Sequence, residues 1–414
     1  MRSYFQSLYY GWVIVFICSF AVFLSGPGQT YSNSVYIDEY IRYFGWSRSE
    51  ISGIYSIATL CAGMLMIFVG RYVDRFGQKT MLIIVGTSLG LACFFNSFVS
   101  NIWMMAFGFF LIRLFGQGSM TLVPTTLVPQ WFIKKRGRAL SFMAIGSFAS
   151  AAFFPIVNTW MINTWDWQTS WQVWGSVLLF IFVPLVIIGI KNKPEDIGLL
   201  PDGISTNLTS KDKTSNQSFI TEIDWTLNEA MKTKAYWLVL ICVAIPALVN
   251  TGITFHLLSI FGANELTPQL AATILSMMAL VGFPISFAAG FILEKVRTNL
   301  LLTVIFILEI ALLVMLLFTN TIWMAILFGV LWGTASGLER ITLNIIWPNY
   351  FGRKYLGSIK GTAVTVMVIG SSLGPLPFGV GYDVFQSYTQ VLLLAMIFPV
   401  IGLVCSLLAK KPTK

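Results

Sequence analysis

The stretch at residues 70–79, GRYVDRFGQK, lies between two long apolar runs. It holds three cations (Arg71, Arg75, Lys79), one carboxylate (Asp74) and two glycines (Gly70, Gly77). Cations resist translocation across a bilayer, so a short basic turn between apolar segments reads as a cytoplasmic hairpin between membrane helices. Half a chain later, residues 290–297 read GFILEKVR, again after an apolar run. Gly70 then falls on Gly290, Asp74 on Glu294 and Arg75 on Lys295. The recurrence predicts two similar halves with a seam near the middle.

Working outward, the composition agrees. Of 414 residues, 56% are hydrophobic and 10% charged, where a soluble domain carries about 25% charged residues. Apolar runs of membrane-spanning length recur throughout, which predicts an all-α polytopic membrane protein. Twelve spans fit, near residues 9–36, 49–70, 80–99, 102–126, 138–161, 170–190, 236–258, 268–291, 299–318, 321–346, 359–380 and 388–408. The net charge of +9 is no nucleic-acid footprint. All but four of the 26 Lys and Arg fall in alternate loops and the termini, the four being Arg42, Arg48, Arg113 and Arg340. That asymmetry predicts cytoplasmic termini. Arg2 followed by a long apolar run without a small-residue cleavage site reads as an uncleaved first helix. The five cysteines (18, 61, 93, 242, 405) lie in apolar runs without metal-ligand or disulfide spacing and read as packing residues.

Residues 191–234 form the one long polar stretch and read as a flexible connector between an N-terminal bundle (1–190) and a C-terminal bundle (235–414). Trp225–Lys232 within it suits a short interfacial helix. Trp160, Trp165, Trp167, Trp171 and Trp174 read as an outer aromatic belt.

Polar residues inside apolar spans single out candidate sites. The first span carries SGPGQTYSNS at 25–34, where Gly26, Pro27 and Gly28 predict a kink, and Gln29, Tyr31 and Asn33 line either a helix seam or a cavity. Arg113 sits mid-span, with Gln117 on the same face, and an arginine at that depth is costly unless paired or hydrated. Asn250 and Thr254 share a face of the seventh span. In the tenth, Trp332, Ser336, Arg340 and Asn344 follow at four-residue steps, with Glu339 pointing aside. Gly374, Pro375 and Pro377 break the eleventh span beside Ser371. Titratable candidates for proton movement are Glu339, the single histidine His256, Asp38 and Glu39. Glu309, mid-span in the ninth, has no role in this reading.

The pattern G-x-x-x-D-R-x-G-x-K at 70–79 resembles the loop between helices 2 and 3 of the major facilitator superfamily. R-x-x-G-x-G at 113–118 resembles its fourth-helix signature. Further residues are similar to the monocarboxylate and oxalate/formate branch: Tyr10-Gly11-Trp12, GPGQTY, WFIKKRGRALSF, PEDIGLLPDG and YFGRKYLGSIKG. The resemblance implies two six-helix bundles, a central cavity and alternating access, with Gly70, Asp74, Arg75, Gly77 and Lys79 as a conformational gate. It implies proton-coupled symport of a small organic anion, such as lactate or pyruvate, by a plasma-membrane monomer, in a bacterial membrane. Substrate contacts would come from Arg113, Gln117, Tyr31, Gln29, Asn33, Asn250, Thr254, Trp332, Ser336, Arg340 and Ser371. That branch often places an arginine in helix 8, and none occurs in 268–291, so Arg113 or Arg340 would take the anion. The alternative within the same fold is a drug or metabolite antiporter. No enzyme motif, metal spacing or nucleotide loop is evident, so no catalysis, cofactor or nucleic-acid partner is expected.

Overall fold

The computed structural model describes residues 9–46, 48–203 and 223–413. Among them, twelve helices are long and apolar enough to cross a membrane. They run Gly11–Ile37, Gly53–Phe76, Gln78–Ser97, Ile102–Trp131, Arg136–Thr164, Trp167–Gly189, Lys234–Leu257, Thr273–Ile292, Thr298–Phe318, Ile322–Phe351, Leu356–Phe385 and Tyr388–Leu408. These are called spans one to twelve below. Several outlast their apolar cores, because helical Arg and Lys can lay their stems along the surface while the charge reaches polar surroundings. The expected turn at 70–79 narrows accordingly. Arg71, Asp74 and Arg75 stay in the second span, and the chain reverses at Gly77, whose φ of 81° suits a residue without a Cβ.

The chain forms two compact units. One comprises Met1–Trp225 with Phe351–Val364, the other Thr226–Tyr350 with Thr365–Lys414.

In the first unit, span one is interrupted. A helix over Gly11–Phe23 gives way to a tight turn at Gly26–Gly28 and resumes at Thr30–Phe44. Span five lies against it so closely that a Cβ on Gly146 would meet the Ser19 carbonyl oxygen. The tryptophans divide. Trp160 and Trp165 are exposed, whereas Trp167, Trp171 and Trp174 are buried. Their spacing puts the latter three on one helix face. There the Trp171 indole donates to the Tyr40 hydroxyl (2.9 Å) and that of Trp174 to Asn158 Oδ1 (2.7 Å). These three are core residues rather than a belt.

Both described ends of the connector are anchored. Asp202 accepts the backbone N–H groups of Ile133, Lys134 and Lys135 at 2.8–3.1 Å, just before span five. Asp224 accepts those of Arg353 and Lys354 at 3.0–3.1 Å, just before span eleven. Trp131-Phe132 and Tyr350-Phe351 stand 219 residues apart, close to the 220-residue repeat, so one carboxylate serves each of two corresponding turns. The interfacial helix is shorter than expected, Leu227–Met231, and is started by a reciprocal Thr226–Glu229 cap.

In the second unit, span twelve packs along spans seven and nine. The Tyr350 hydroxyl donates to the Ala409 carbonyl at 2.6 Å. Span eleven is interrupted at Gly374, between helices over Leu356–Leu373 and Pro375–Phe385, yet Gly374 keeps helical angles (φ −52°, ψ −50°). The break removes a hydrogen bond without redirecting the backbone.

Candidate functional site

Arg113 is the centre of a polar cluster inside the first unit. Its residue is 4% exposed. It opens a π-helical stretch, Arg113–Ser119, within span four. Such widened turns leave backbone groups free to re-pair and are frequent at functional positions. Gly28 of the interrupted first span rests against that stretch: a Cβ there would lie 2.2 Å from the Ile112 oxygen and 2.6 Å from Gly116 Cα. Two glycines in contact let the backbones approach, and the Gly28 carbonyl then reaches Arg113. Nη1 donates to it at 3.0 Å and to Thr30 Oγ1 at 3.2 Å. Nε donates to Thr59 Oγ1 at 2.9 Å. The guanidinium carbon lies 4.8 Å from the Tyr55 ring centre, a cation–π distance. Every one of these partners is neutral.

The sequence reading found Arg113 but none of its partners. Tyr55 and Thr59 stand one helical turn apart in span two, the one local signal of a shared polar face. Gln117 is half-buried nearby on span four, and its carbonyl accepts the Thr121 hydroxyl at 2.6 Å. Gln29 and Tyr31 are half-buried; they donate to Ser25 Oγ (2.9 Å) and Ser150 Oγ (2.7 Å). Asn33 does not line a cavity. It is 1% exposed, and its amide donates to the Pro27 and Gln29 carbonyls, securing the interruption in span one.

A second cluster lies in the second unit. Asn250 of span seven accepts the Trp332 indole N–H at 2.7 Å and donates to Glu339 Oε2 at 3.2 Å. The expected stripe from Trp332 to Arg340 is not what forms. Each four-residue step rotates a helix about 40° past a full turn, so two steps carry Arg340 about 80° away, whereas Glu339 stays within about 20° of Trp332. Glu339 faces Asn250 with Trp332, and Arg340 is exposed, its carbonyl accepting the Asn344 amide at 2.8 Å. Ser336 is half-buried on the same helix. Thr254 is exposed, its hydroxyl returned to the Asn250 carbonyl at 2.7 Å. Ser371 shares a hydrogen bond of 2.8 Å with Thr251. His256 lies 3.2 Å from the Tyr388 hydroxyl through Nδ1 and 3.3 Å from the Pro375 carbonyl through Nε2. A carbonyl can only accept, so Nε2 carries the hydrogen and Nδ1 is the acceptor in the neutral ring.

Of the remaining titratable candidates, Glu39 pairs with Arg42 and lines a cavity of about 370 Å³ with Ser34, Val35, Thr159, Ile162 and Asn163. The Asp38 side chain lies outside the described residues.

The third feature is the loop region of the sequence signature. Asp74 accepts the N–H groups of Gly357 and Ser358, both at 2.7 Å. These are orphan donors of the first turn of Leu356–Leu373, where a negative charge also suits the helix dipole. Gly70 makes the approach possible, since a Cβ there would lie 2.1 Å from the Gly357 oxygen. Lys79 N donates to Asn192 Oδ1 at 2.8 Å, and Arg75 lies exposed over the Phe76 ring. Lys360 departs from the loop-cation reading: it is 4% exposed inside that helix, with Nζ 3.4 Å from the Thr125 carbonyl. Asp74→Asn keeps the shape but loses the charge and one acceptor. It is expected to destabilise the protein by about 1 kcal/mol, read as a lower melting temperature; an unchanged melting temperature would dismiss the cap.

The family model of the Major Facilitator Superfamily matches residues 18–375. An uncharacterised MFS-type transporter of Escherichia coli, YhjX, is 24% identical over 191 residues, 46% of this chain and 43% of its own length. Monocarboxylate transporter 9 of Mus musculus is 23% identical over 42% of this chain and 34% of its own. Riboflavin transporter MCH5 of Saccharomyces cerevisiae is 25% identical over 89% of this chain and 74% of its own. The matches to the first two therefore span less than half of those relatives. Among solved structures, the transporter FucP, described as in the outward conformation, superposes with a TM-score of 0.70 at 14% identity, covering 96% of this chain and 99% of FucP.

Proposed function

We propose that this chain, which belongs to the Major Facilitator Superfamily, moves a small organic anion across the plasma membrane by alternating access, together with a proton. The anion is a monocarboxylate of the size of lactate or pyruvate. The carrying observation is Arg113: a buried guanidinium whose partners among the described residues, Thr59, Gly28, Thr30 and Tyr55, are all neutral. A cation held in that way still lacks a counter-charge, and removing it from water is costly until one arrives. A substrate carboxylate supplies it. Gln117 stands on the same span to orient the substrate.

Glu339 is the titratable group of this reading, since its hydrogen-bond partner is the neutral amide of Asn250. His256 is the second candidate. Asp74, with Gly70, serves as the gate element, because its two short hydrogen bonds to the first turn of span eleven form or break as a unit.

The test is ligand-dependent thermal stabilisation of the purified protein. Lactate, pyruvate, formate and oxalate are compared with lactamide, riboflavin and an organic cation. Stabilisation by the monocarboxylates and not by lactamide is expected. Stabilisation by riboflavin or by the cation, with none by the acids, overturns the anion reading and leaves the family assignment standing.

A further inference from the structure

Thr30 is the first residue of the helix Thr30–Phe44, where span one resumes after its interruption. Its hydroxyl meets two donors. Arg113 Nη1 donates to Oγ1 at 3.2 Å, and the Tyr55 hydroxyl donates to the same atom at 3.1 Å. A hydroxyl oxygen has two lone pairs and one proton. Both hydrogen bonds that the described residues make with Oγ1 are ones it accepts. The proton is what Thr30 has left to offer, and it points away from Arg113 and Tyr55.

Tyr55 is itself held in place. Its ring centre lies 4.8 Å from the Arg113 guanidinium carbon and 5.3 Å from the Phe109 ring, with the two rings at 87°. Phe109 stands one turn before Arg113 on span four. The Tyr55 carbonyl accepts the Thr59 hydroxyl at 2.7 Å, and Thr59 accepts Arg113 Nε in turn. Spans two and four therefore set the direction of the Thr30 hydroxyl together. Arg113 and Phe109 are buried and Tyr55 and Thr59 half-buried, whereas Thr30 is exposed. Its neighbours are engaged elsewhere: Gln29 with Ser25, Tyr31 with Ser150, and Asn33 with the Pro27 and Gln29 carbonyls. Thr30 is thus the side chain of this stretch that directs a donor outward beside Arg113.

We propose that Thr30 selects the substrate by donating its hydroxyl proton to an oxygen at C2, which narrows the cargo to short 2-oxo and 2-hydroxy acids; this role rests on Arg113 being the cation that binds the carboxylate. The carboxylate pairs with the guanidinium, and Thr30 Oγ1 is hydrogen-bonded to that same guanidinium. The group next to the carboxylate therefore comes within reach of the Thr30 proton. In pyruvate and lactate that group carries an oxygen able to accept it. Propionate has the same carbon skeleton with only hydrogens there, and would leave the donor facing a methylene. A site that hydrogen-bonds a substrate oxygen discriminates against the analogue that lacks it. A Thr30 proton spent on the carboxylate itself would serve all three acids alike.

The experiment is calorimetric titration of the purified protein with pyruvate, lactate and propionate. Wild type is expected to bind pyruvate and lactate about tenfold more tightly than propionate, the worth of one hydrogen bond. Thr30→Val keeps the shape and removes the proton, and is expected to abolish the preference, whatever happens to the three affinities together. Thr30→Ser keeps the hydroxyl and is expected to keep the preference. Tyr55→Phe leaves the ring over Arg113 but frees one lone pair of Oγ1, so the hydroxyl can turn and the preference is expected to fall to about threefold. A Thr30 that serves only to hold Arg113 would weaken all three acids in equal proportion in Thr30→Val, and that result overturns the proposal. Equal binding of the three acids by wild type also overturns it, and leaves the anion reading standing, because propionate is itself a monocarboxylate. Binding of none of them overturns both. Should Thr30→Val fail to fold, Tyr55→Phe decides, an unchanged preference there overturning the proposal.

Discussion

Uptake of a monocarboxylate falls by about 100-fold or more when Arg113 is replaced by alanine, while the protein still inserts and is purified as a folded monodisperse species. The magnitude follows from the chemistry. Losing one partner of a buried, hydrogen-bonded charge pair costs about 2–5 kcal/mol, and each 1.4 kcal/mol is a factor of ten in affinity. The groups left behind, the Gly28 carbonyl and the Thr30 and Thr59 hydroxyls, are neutral, so the fold bears a much smaller loss than binding does. Arg113→Lys separates charge from geometry. An ammonium cannot span Gly28, Thr30 and Thr59 while presenting a further donor, so recovery should be partial. Uptake at the wild-type rate in Arg113→Ala would make this arginine a structural residue.

The second large effect is expected from Gly28→Ala, a change of one methyl. The new Cβ would sit 2.2 Å from the Ile112 oxygen and 2.6 Å from both Gln117 N and Gly116 Cα. All three atoms are backbone, so no side chain can swing aside, and spans one and four must separate. Overpacking of this kind costs about 1–3 kcal/mol, which should appear as a lower melting temperature. The displaced atom is also the Gly28 carbonyl that holds Arg113. Uptake should therefore fall at least about tenfold, the cost of misplacing a positioned group by about 1 Å being larger still. Normal uptake with a lowered melting temperature would show that the carbonyl does not set the arginine's position.

How much of this was legible in the sequence depends on the distance over which each signal acts. The basic turn at 70–79 and its counterpart at 290–297 are local patterns imposed by the bilayer, and with the apolar runs they sufficed for twelve helices in one family. The importance of Arg113 was equally plain, because charge at mid-span is rare for a local reason. Its partners were not, since Gly28 and Thr30 come from span one and Thr59 from span two, and they meet Arg113 only because two glycines and a π-helical turn permit it. Similarly, the four-residue stripe through Trp332 and Arg340 overlooked the drift of the helix, which hands the inner position to Glu339. Trp167, Trp171 and Trp174 looked like a belt by composition, while their spacing already placed them on one face. Glu309 gave a warning in sequence, a carboxylate at mid-depth, but that its oxygens are buried and without a hydrogen-bond partner is visible only in the structure.

The most direct test of the account is uptake of labelled lactate and pyruvate into proteoliposomes holding the purified protein, with and without an inward proton gradient. The account predicts accumulation of the monocarboxylates above equilibrium only when the gradient is present, and none in Arg113→Ala. Gradient-driven movement of a neutral or cationic compound, with the acids excluded, would contradict it.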